Sequence, residues 1–171
     1  KILFISIVAG KQISFFNTHL GPNKQIVRIM PNMPAFVEKG MSCLFASKNI
    51  SKKNKQLSTM LFNQVGKTLW LKKESDMDKI TAISGSGPAY YFLFVQCLES
   101  VARDLGFNTA IAKDLVYQTA FGSIILLLKD KRAAKQLKES IAIKGGTTEA
   151  AINIFEKKYL FKKIIKNAVQ A

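Results

Sequence analysis

The sequence predicts an α/β unit built on a largely parallel sheet, followed by an all-α unit. Short β-prone runs alternate with a helical pattern in the first half, and the apolar period becomes helical after residue 76. The chain has 171 residues, 48% of them hydrophobic, which favours a buried core and excludes a disordered segment. We therefore expect two domains, at residues 1–76 and 77–171.

Continuous apolar runs predict the strands of the first unit. The predicted strands are Ile2–Val8, Ile26–Met30, Met41–Ala46 and Thr68–Leu71. The first run is rich in β-branched residues, which is typical of a buried parallel strand. Pro31 and Pro34 end the second run in a rigid turn, because proline has no amide donor. Helical spacing over Lys52–Val65 predicts a helix capped by Gly66, and this strand–helix–strand order is typical of a parallel sheet.

Helical spacing of apolar residues predicts the second unit. The predicted helices run from about Pro88 to Leu105, from Asn108 or Thr109 to Leu128, and over Ala133–Ile141, Thr148–Lys157 and Phe161–Val169. The first two are apolar on nearly every face, and Tyr90–Val95 is one continuous apolar run. Fewer than about a hundred residues cannot surround two such helices. We therefore expect a second copy of the chain to cover them in an intertwined homodimer.

The net charge of +15 invites a nucleic-acid or membrane interpretation, which the distribution of the charge does not favour. All but three of the 26 cationic residues are lysines, dispersed along the chain, whereas base-reading sites favour arginine. Solvated lysine-rich faces are the plain interpretation, and attraction of anionic small molecules stays open. The longest apolar run, Ala89–Val95, is far shorter than the ~20 residues of a membrane-spanning helix. We expect neither a nucleic-acid nor a membrane partner.

Histidine and cysteine are too few to build a metal site from the sequence. His19 is the single histidine, and Cys43 and Cys97 are far apart without metal-ligand spacing. No metal is therefore expected. The sequence supports no disulfide scaffold either, which suits a reducing compartment and predicts a cytoplasmic location.

Two glycine-rich segments each precede a predicted helix, at Ser84–Ala89 and Gly145–Glu149. At such a position, free amide groups and the positive end of the helix dipole favour a carboxylate or phosphate. Ordinary helix capping and close helix packing are the alternative. Neither segment has the spacing of a phosphate-binding P-loop or of a dinucleotide fingerprint.

Four motifs in order resemble the pyrroline-5-carboxylate reductases, which complete proline biosynthesis. The most specific is Ile80–Tyr90, with the sequence ITAISGSGPAY. The others are ISIVAG at Ile5–Gly10, VRIMPNMPA at Val27–Ala35 and GGTT at Gly145–Thr148. The match covers essentially the whole chain. It implies the C-terminal part of a Rossmann-type parallel-sheet domain, followed by a helical dimerisation domain that forms homodimers, often within larger rings.

The resemblance also implies a reaction and its site. Hydride transfer from a nicotinamide cofactor, NADP or NAD, to 1-pyrroline-5-carboxylate would give L-proline, with Thr148 hydrogen-bonded to the ring nitrogen as the catalytic residue. The implied substrate-binding residues are Ser84, Gly85, Ser86, Gly87, Gly145, Gly146, Thr147 and Thr148. The implied cofactor-binding residues are Ala9, Gly10, Met30, Pro31, Asn32 and Pro34.

The sequence departs from the family pattern at two places. The family usually has Ser-Pro before the paired glycines, where this chain has Ile143 and Lys144. Lys144 is either a replacement charge for the substrate carboxylate or another surface lysine. The family's first strand and glycine-rich cofactor loop are expected before Lys1, so we expect an N-terminally incomplete chain that is inactive, or nearly so, alone. The alternative is a non-catalytic dimerising fragment or interaction module.

Overall fold

A computed structural model describes residues 2–171 and divides the chain into two compact units. The first unit ends at Tyr90, and the second comprises Tyr91–Ala171. The expected domain boundary after residue 76 rests on the change of apolar period and stays a prediction.

The first unit is a four-stranded sheet with helices on both faces. The strands are β1 (Leu3–Ser6), β2 (Gln25–Met30), β3 (Gly40–Ala46) and β4 (Gly66–Trp70), and the helices α1 (Ile13–Leu20), α2 (Lys52–Asn63) and α3 (Asp76–Ile80). The strands lie in the order β1-β2-β3-β4. β1 and β2 are parallel, as are β3 and β4, whereas β2 and β3 are antiparallel. The expectation of a largely parallel sheet is confirmed, with one antiparallel pair.

The antiparallel pair follows from a short connection. Between β2 and β3 the chain holds only a turn and the 3-10 helix Met33–Val37, whereas a parallel crossover needs a dozen or more residues. The two parallel pairs therefore run in opposite directions, and right-handed crossovers then put α1 and α2 on opposite faces. Accordingly, Val27 and Ile29 on β2 pack with Phe62 of α2 in the hydrophobic core.

Glycine at the start of β4 allows two strands to approach closely. Gly66, expected to cap α2, instead opens β4, and α2 ends before it, capped at Gln64. A Cβ on Gly66 would lie 1.9 Å from the carbonyl oxygen of Gly40 on β3, and Gly66 has a φ of +144°. The position therefore excludes any side chain. The expected cap is wrong because β3 pairing, rather than helix termination, fixes this glycine.

Arg28 and Glu74 form an ion pair on the side of β2 away from Val27 and Ile29. The Arg28 side chain is 3% exposed and its Nη1 lies 3.2 Å from Oε1 of Glu74, which is 22% exposed. The same carboxylate oxygen accepts a hydrogen bond of 2.8 Å from the amide of Ile13, at the start of α1. One glutamate therefore joins the start of α1 to the middle of β2.

Five helices of the second half agree with the expected ones to within a residue or two at their ends. They are α4 (Gly87–Asp104), α5 (Thr109–Lys129), α6 (Ala134–Ile141), α7 (Thr147–Glu156) and α8 (Leu160–Gln170). Asn108 caps α5, because its side chain accepts from the amide of Ile111 at 3.0 Å. The rings of Phe94 and Phe155 lie 6.3 Å and 5.6 Å from that of Phe161, so α4, α7 and α8 share an aromatic contact.

The second unit leaves most of its apolar surface uncovered. Among its described apolar side chains, only Ala112, Val116 and Leu137 are buried. On α4 and α5, by contrast, Tyr91 is 66% and Phe121 64% exposed. α5 is also long and apolar enough to cross a membrane, a property that it shares with core helices of soluble proteins. These helix faces need a cover that the unit does not supply.

We expect Glu74→Gln to lower the free energy of unfolding of the sheet unit by about 2–3 kcal/mol, the scale of one hydrogen bond to a charged group, because Arg28 then stays buried without its counter-charge. Urea denaturation monitored through Trp70 fluorescence measures this change. Glu38→Gln is the matched control, since Glu38 is exposed and lies in the same unit. Equal, small effects of the two variants would contradict a stabilising role for the Arg28–Glu74 pair.

Candidate active site

Two of the motifs singled out in the sequence lie at one edge of the sheet. β1 and β2 are parallel neighbours in register, with Ser6 opposite Arg28. The segments that follow them, Ala9–Gly10 and Met30–Pro34, therefore leave the sheet at the same edge. In α/β sheets the carboxyl edge of parallel strands is where ligands bind. Gly10 is exposed with a φ of +72°, and a Cβ there would meet nothing within 4 Å, so a ligand could approach its backbone.

The turn after β2 is held rigidly. Its 3-10 helix starts with the amide of Ala35 donating to the Asn32 carbonyl at 3.0 Å, and Pro34 fixes the backbone of its first turn. Gly40 packs closely against Ala35 of this turn, since a Cβ on Gly40 would lie 2.8 Å from the Cβ of Ala35. The turn and the first residue of β3 therefore form one tightly packed corner at the sheet edge.

Asn32 links this corner to the Ser84 motif. Its Nδ2 donates to the carbonyl of Ser84 at 3.0 Å and lies 3.4 Å from the Ser84 hydroxyl oxygen. Its Oδ1 accepts from the amide of Met41 at 2.8 Å. A candidate cofactor-side residue and a candidate substrate-side residue are thus in direct contact within the first unit.

The segment before α4 is helical rather than an open glycine turn. Thr81–Gly85 forms a π-helical turn that continues from α3, with the Ser86 amide donating to the Thr81 carbonyl at 2.8 Å. The amide of Ala89 also has a partner, the Ser86 carbonyl. The expectation of a free helix start at Ser84–Gly87 is therefore wrong, because the chain enters α4 already helical. Single π turns occur frequently at functional sites.

The Gly145–Thr148 motif does open a helix, α7, with Gly146 as its N-cap. The Gly145 amide donates to Oε2 of Glu149 at 2.7 Å, and the Gly146 amide donates to the Ile143 carbonyl at 2.9 Å. Two of the three amides expected to face an anion thus have partners within the chain. Thr147 is the third, and its amide has no backbone partner among the described residues. The helix dipole favours an anion at this position.

Other titratable groups add little to either segment. His19 is exposed on α1, with Nδ1 2.8 Å from the Phe15 carbonyl oxygen. Both cysteines are free thiols, and burial raises the pKa of Cys43. The part of the chain that the structure describes holds no group of three or more His, Cys, Asp or Glu side chains that could bind a metal ion.

Sequence reasoning missed the residues that hold the candidate site in place. Arg28 and Glu74 stabilise the start of α1, which follows Gly10, and Tyr90 donates from its hydroxyl to the Ala82 carbonyl at 3.1 Å in the π turn. A single arginine within an apolar strand was the one available signal, since a buried charge needs a partner.

A sheet edge with an exposed glycine turn and a helical unit with uncovered apolar faces define a two-unit protein, one unit α/β and the other all-α. Among known proteins, the family model described as pyrroline-5-carboxylate reductase dimerisation matches residues 74–171. The chain is 40% identical to the pyrroline-5-carboxylate reductase of Pasteurella multocida and 37% identical to that of Haemophilus influenzae. Each alignment covers 99% of this chain and 62% of the relative.

Solved structures agree. The Plasmodium falciparum pyrroline carboxylate reductase with NADP bound matches with a TM-score of 0.90 at 36% identity, covering 98% of this chain and 67% of that one. The Coxiella burnetii pyrroline-5-carboxylate reductase matches with a TM-score of 0.89 at 37% identity, covering 99% and 64%. The chain therefore belongs to the pyrroline-5-carboxylate reductase family. It spans 62% of the length of the curated relatives named above.

We expect Glu149→Ala to release the Gly145 amide, because the glutamate reaches back across the first turn of α7 as in a capping box. Amide hydrogen exchange at Gly145, followed by NMR, should become about 5-fold faster, the equivalent of one lost cap. Glu139→Ala, at an exposed pair with Lys135 on α6, serves as the control. Unchanged exchange at Gly145 would show that the carboxylate does not hold this amide in solution.

Proposed function

We propose that this chain contributes to the reduction of 1-pyrroline-5-carboxylate to L-proline by hydride transfer from a nicotinamide cofactor. The observation that carries the proposal is the match along 99% of this chain to relatives named for this activity. A protonated cyclic imine is already electrophilic, so the protein has mainly to hold two rings face to face. The candidate site, with no clustered acids or histidines among its described residues, suits such chemistry.

The cofactor belongs, in this proposal, at the edge formed by Ala9–Gly10 and the Met30–Pro34 turn. Gly10 offers backbone that a planar ring can approach, and the rigid proline turn supplies an apolar wall. A bound nicotinamide supplies the hydride. We propose NADP, with NAD as the alternative, because the Plasmodium falciparum relative has NADP bound. The segment that distinguishes the two lies outside these motifs, so titration of each reduced cofactor decides between them.

The substrate is assigned to the two other motifs. Thr148 would hydrogen-bond the ring nitrogen, which makes it the catalytic residue of the proposal, and the Gly145–Thr147 amides would face the carboxylate. Of these, the Thr147 amide is the one without a backbone partner among the described residues, so it is best placed to receive an anion. Ser84–Gly87, in the first unit, is the other proposed substrate-binding segment. Since the imine arrives protonated, hydride addition yields the secondary amine without a further proton donor.

A second copy of the chain is the proposed cover for α4 and α5, within a homodimer and, by family resemblance, a larger ring. Residues 74–171 match a dimerisation family, and their largest apolar side chains are mostly exposed in the single chain. The same cover would bury the apolar surface of α5 without a membrane. We also propose a cytoplasmic location, in keeping with two free thiols, and no nucleic-acid partner.

We expect Thr148→Val to lower kcat/KM for pyrroline-5-carboxylate about 10- to 100-fold, the equivalent of one hydrogen bond to a charged group. The assay follows NADPH oxidation and uses the complete natural gene product. Thr147→Val is the matched control, because only the backbone of Thr147 is assigned a role. An equal loss of kcat/KM in both variants would contradict a specific catalytic role for the Thr148 hydroxyl. A wild-type protein that dimerises without saturable dinucleotide binding would instead support a non-catalytic dimerising module.

We expect Lys144→Ala to raise KM for pyrroline-5-carboxylate about 5- to 10-fold, with a much smaller change in KM for the cofactor, if this lysine replaces the family's serine as a partner of the substrate carboxylate. Lys144 is exposed and precedes the glycines of the α7 start. Initial-rate kinetics with each substrate varied in turn measure the two constants, with Lys135→Ala on α6 as the control. Equal, small changes in both constants would make Lys144 a surface lysine.

A further inference from the structure

The carbonyl of Ser84 needs a donor that its own helix cannot supply. In a regular helix this carbonyl would accept from the amide four residues later, but that residue is Pro88, which has no amide hydrogen. The nearby amide of Ala89 donates to the Ser86 carbonyl instead. Asn32, 52 residues away in sequence, donates to Ser84 in its place at 3.0 Å.

The Asn32 carboxamide fits this position in one orientation. Its oxygen accepts from the Met41 amide at 2.8 Å, and its nitrogen donates to the Ser84 carbonyl. Turning the group over would set its nitrogen against the Met41 donor and its oxygen against the Ser84 acceptor. The protein therefore engages both the donor end and the acceptor end of the side chain.

We propose that Asn32 is a positioning residue that couples the cofactor-side turn, Met30–Pro34, to the substrate-side turn, Ser84–Gly87. The inference rests on the proposed function, because that function assigns the two ligands to these two turns. The backbone of Asn32 is part of the first turn, and its side chain donates a hydrogen bond to Ser84 in the second. Because the first turn is rigid, this one hydrogen bond fixes the position of the second turn relative to the cofactor edge.

Asn32→Asp tests the coupling, because the carboxylate keeps an acceptor for Met41 and loses the donor to Ser84. With the native protein we expect KM for pyrroline-5-carboxylate to rise about 10-fold and kcat to fall, while the NADPH dissociation constant, measured by fluorescence, stays within about 2-fold. Asn49→Asp is the matched control, since Asn49 also donates to a backbone carbonyl, that of Asn23, at a loop far along the chain from these turns. We expect it to behave as wild type.

Hydrogen exchange gives a readout that does not depend on turnover. In the wild type the Ser86 amide, which closes the π turn, should exchange slowly. In Asn32→Asp its exchange should be faster, while the Met41 amide stays protected because the carboxylate still accepts from it. Adding Pro88→Ala should not restore the kinetics, because residue 88 then donates to Ser84 within the helix but leaves the link to the Met30–Pro34 turn broken. Should Asn32→Asp not fold, Asn32→Ala with and without Pro88→Ala gives the same comparison.

The outcomes separate the inference from the proposed function. A wild-type protein that does not reduce pyrroline-5-carboxylate overturns the proposed function, whatever the variants do. If the wild type is active but Asn32→Asp raises the NADPH dissociation constant as much as the substrate KM, Asn32 is a cofactor ligand and the coupling is refuted. Rescue of an Asn32 variant by Pro88→Ala also counts against it, because Asn32 would then only satisfy the Ser84 carbonyl.

Discussion

The short connection between β2 and β3 is the constraint on which the first unit depends. Because it cannot cross the sheet, β3 must return antiparallel to β2. The handedness of the two crossovers then sends α1 to one face and α2 to the other. The same reversal means that β3 and β4 begin at the edge where β1 and β2 end, so the proline turn, Gly40 and Gly66 crowd together there. The proline turn of the candidate site therefore lies beside the closely packed glycines at this edge of the sheet.

The second unit is governed by a different limit, the number of residues available to bury two apolar helices. Its helices form by local signals, such as the Asn108 cap, and meet through a few aromatic contacts such as that of Phe94 with Phe161. Very few of its described apolar side chains are buried. Local helix formation and burial are thus separated in this unit, and the match to a dimerisation family indicates where the missing burial comes from.

The sequence predicted what local pattern controls and missed what distant contacts control. Apolar runs located all four strands, and helical spacing located α4 to α8, with Pro88 and Asn108 marking the starts of α4 and α5. The Arg28–Glu74 pair spans 46 residues and leaves no local trace beyond a lone charge in a strand. The π turn was likewise missed. The donor to its Ser84 carbonyl is the Asn32 side chain, which lies 52 residues away and leaves no local signal. α1 lacks a side-chain cap, so nothing marked its start.

The uncovered faces of α4 and α5 bear on how the molecule is made. In the proposed homodimer this unit gains its final burial only on meeting a second chain, so its last folding step is second order in chain concentration. Nascent chains that are scarce, or that are released singly, would spend longer with Tyr91 and Phe121 in water, where chaperones and proteases act. The proposed homodimer therefore makes the rate of synthesis itself a determinant of how much protein reaches the assembled state.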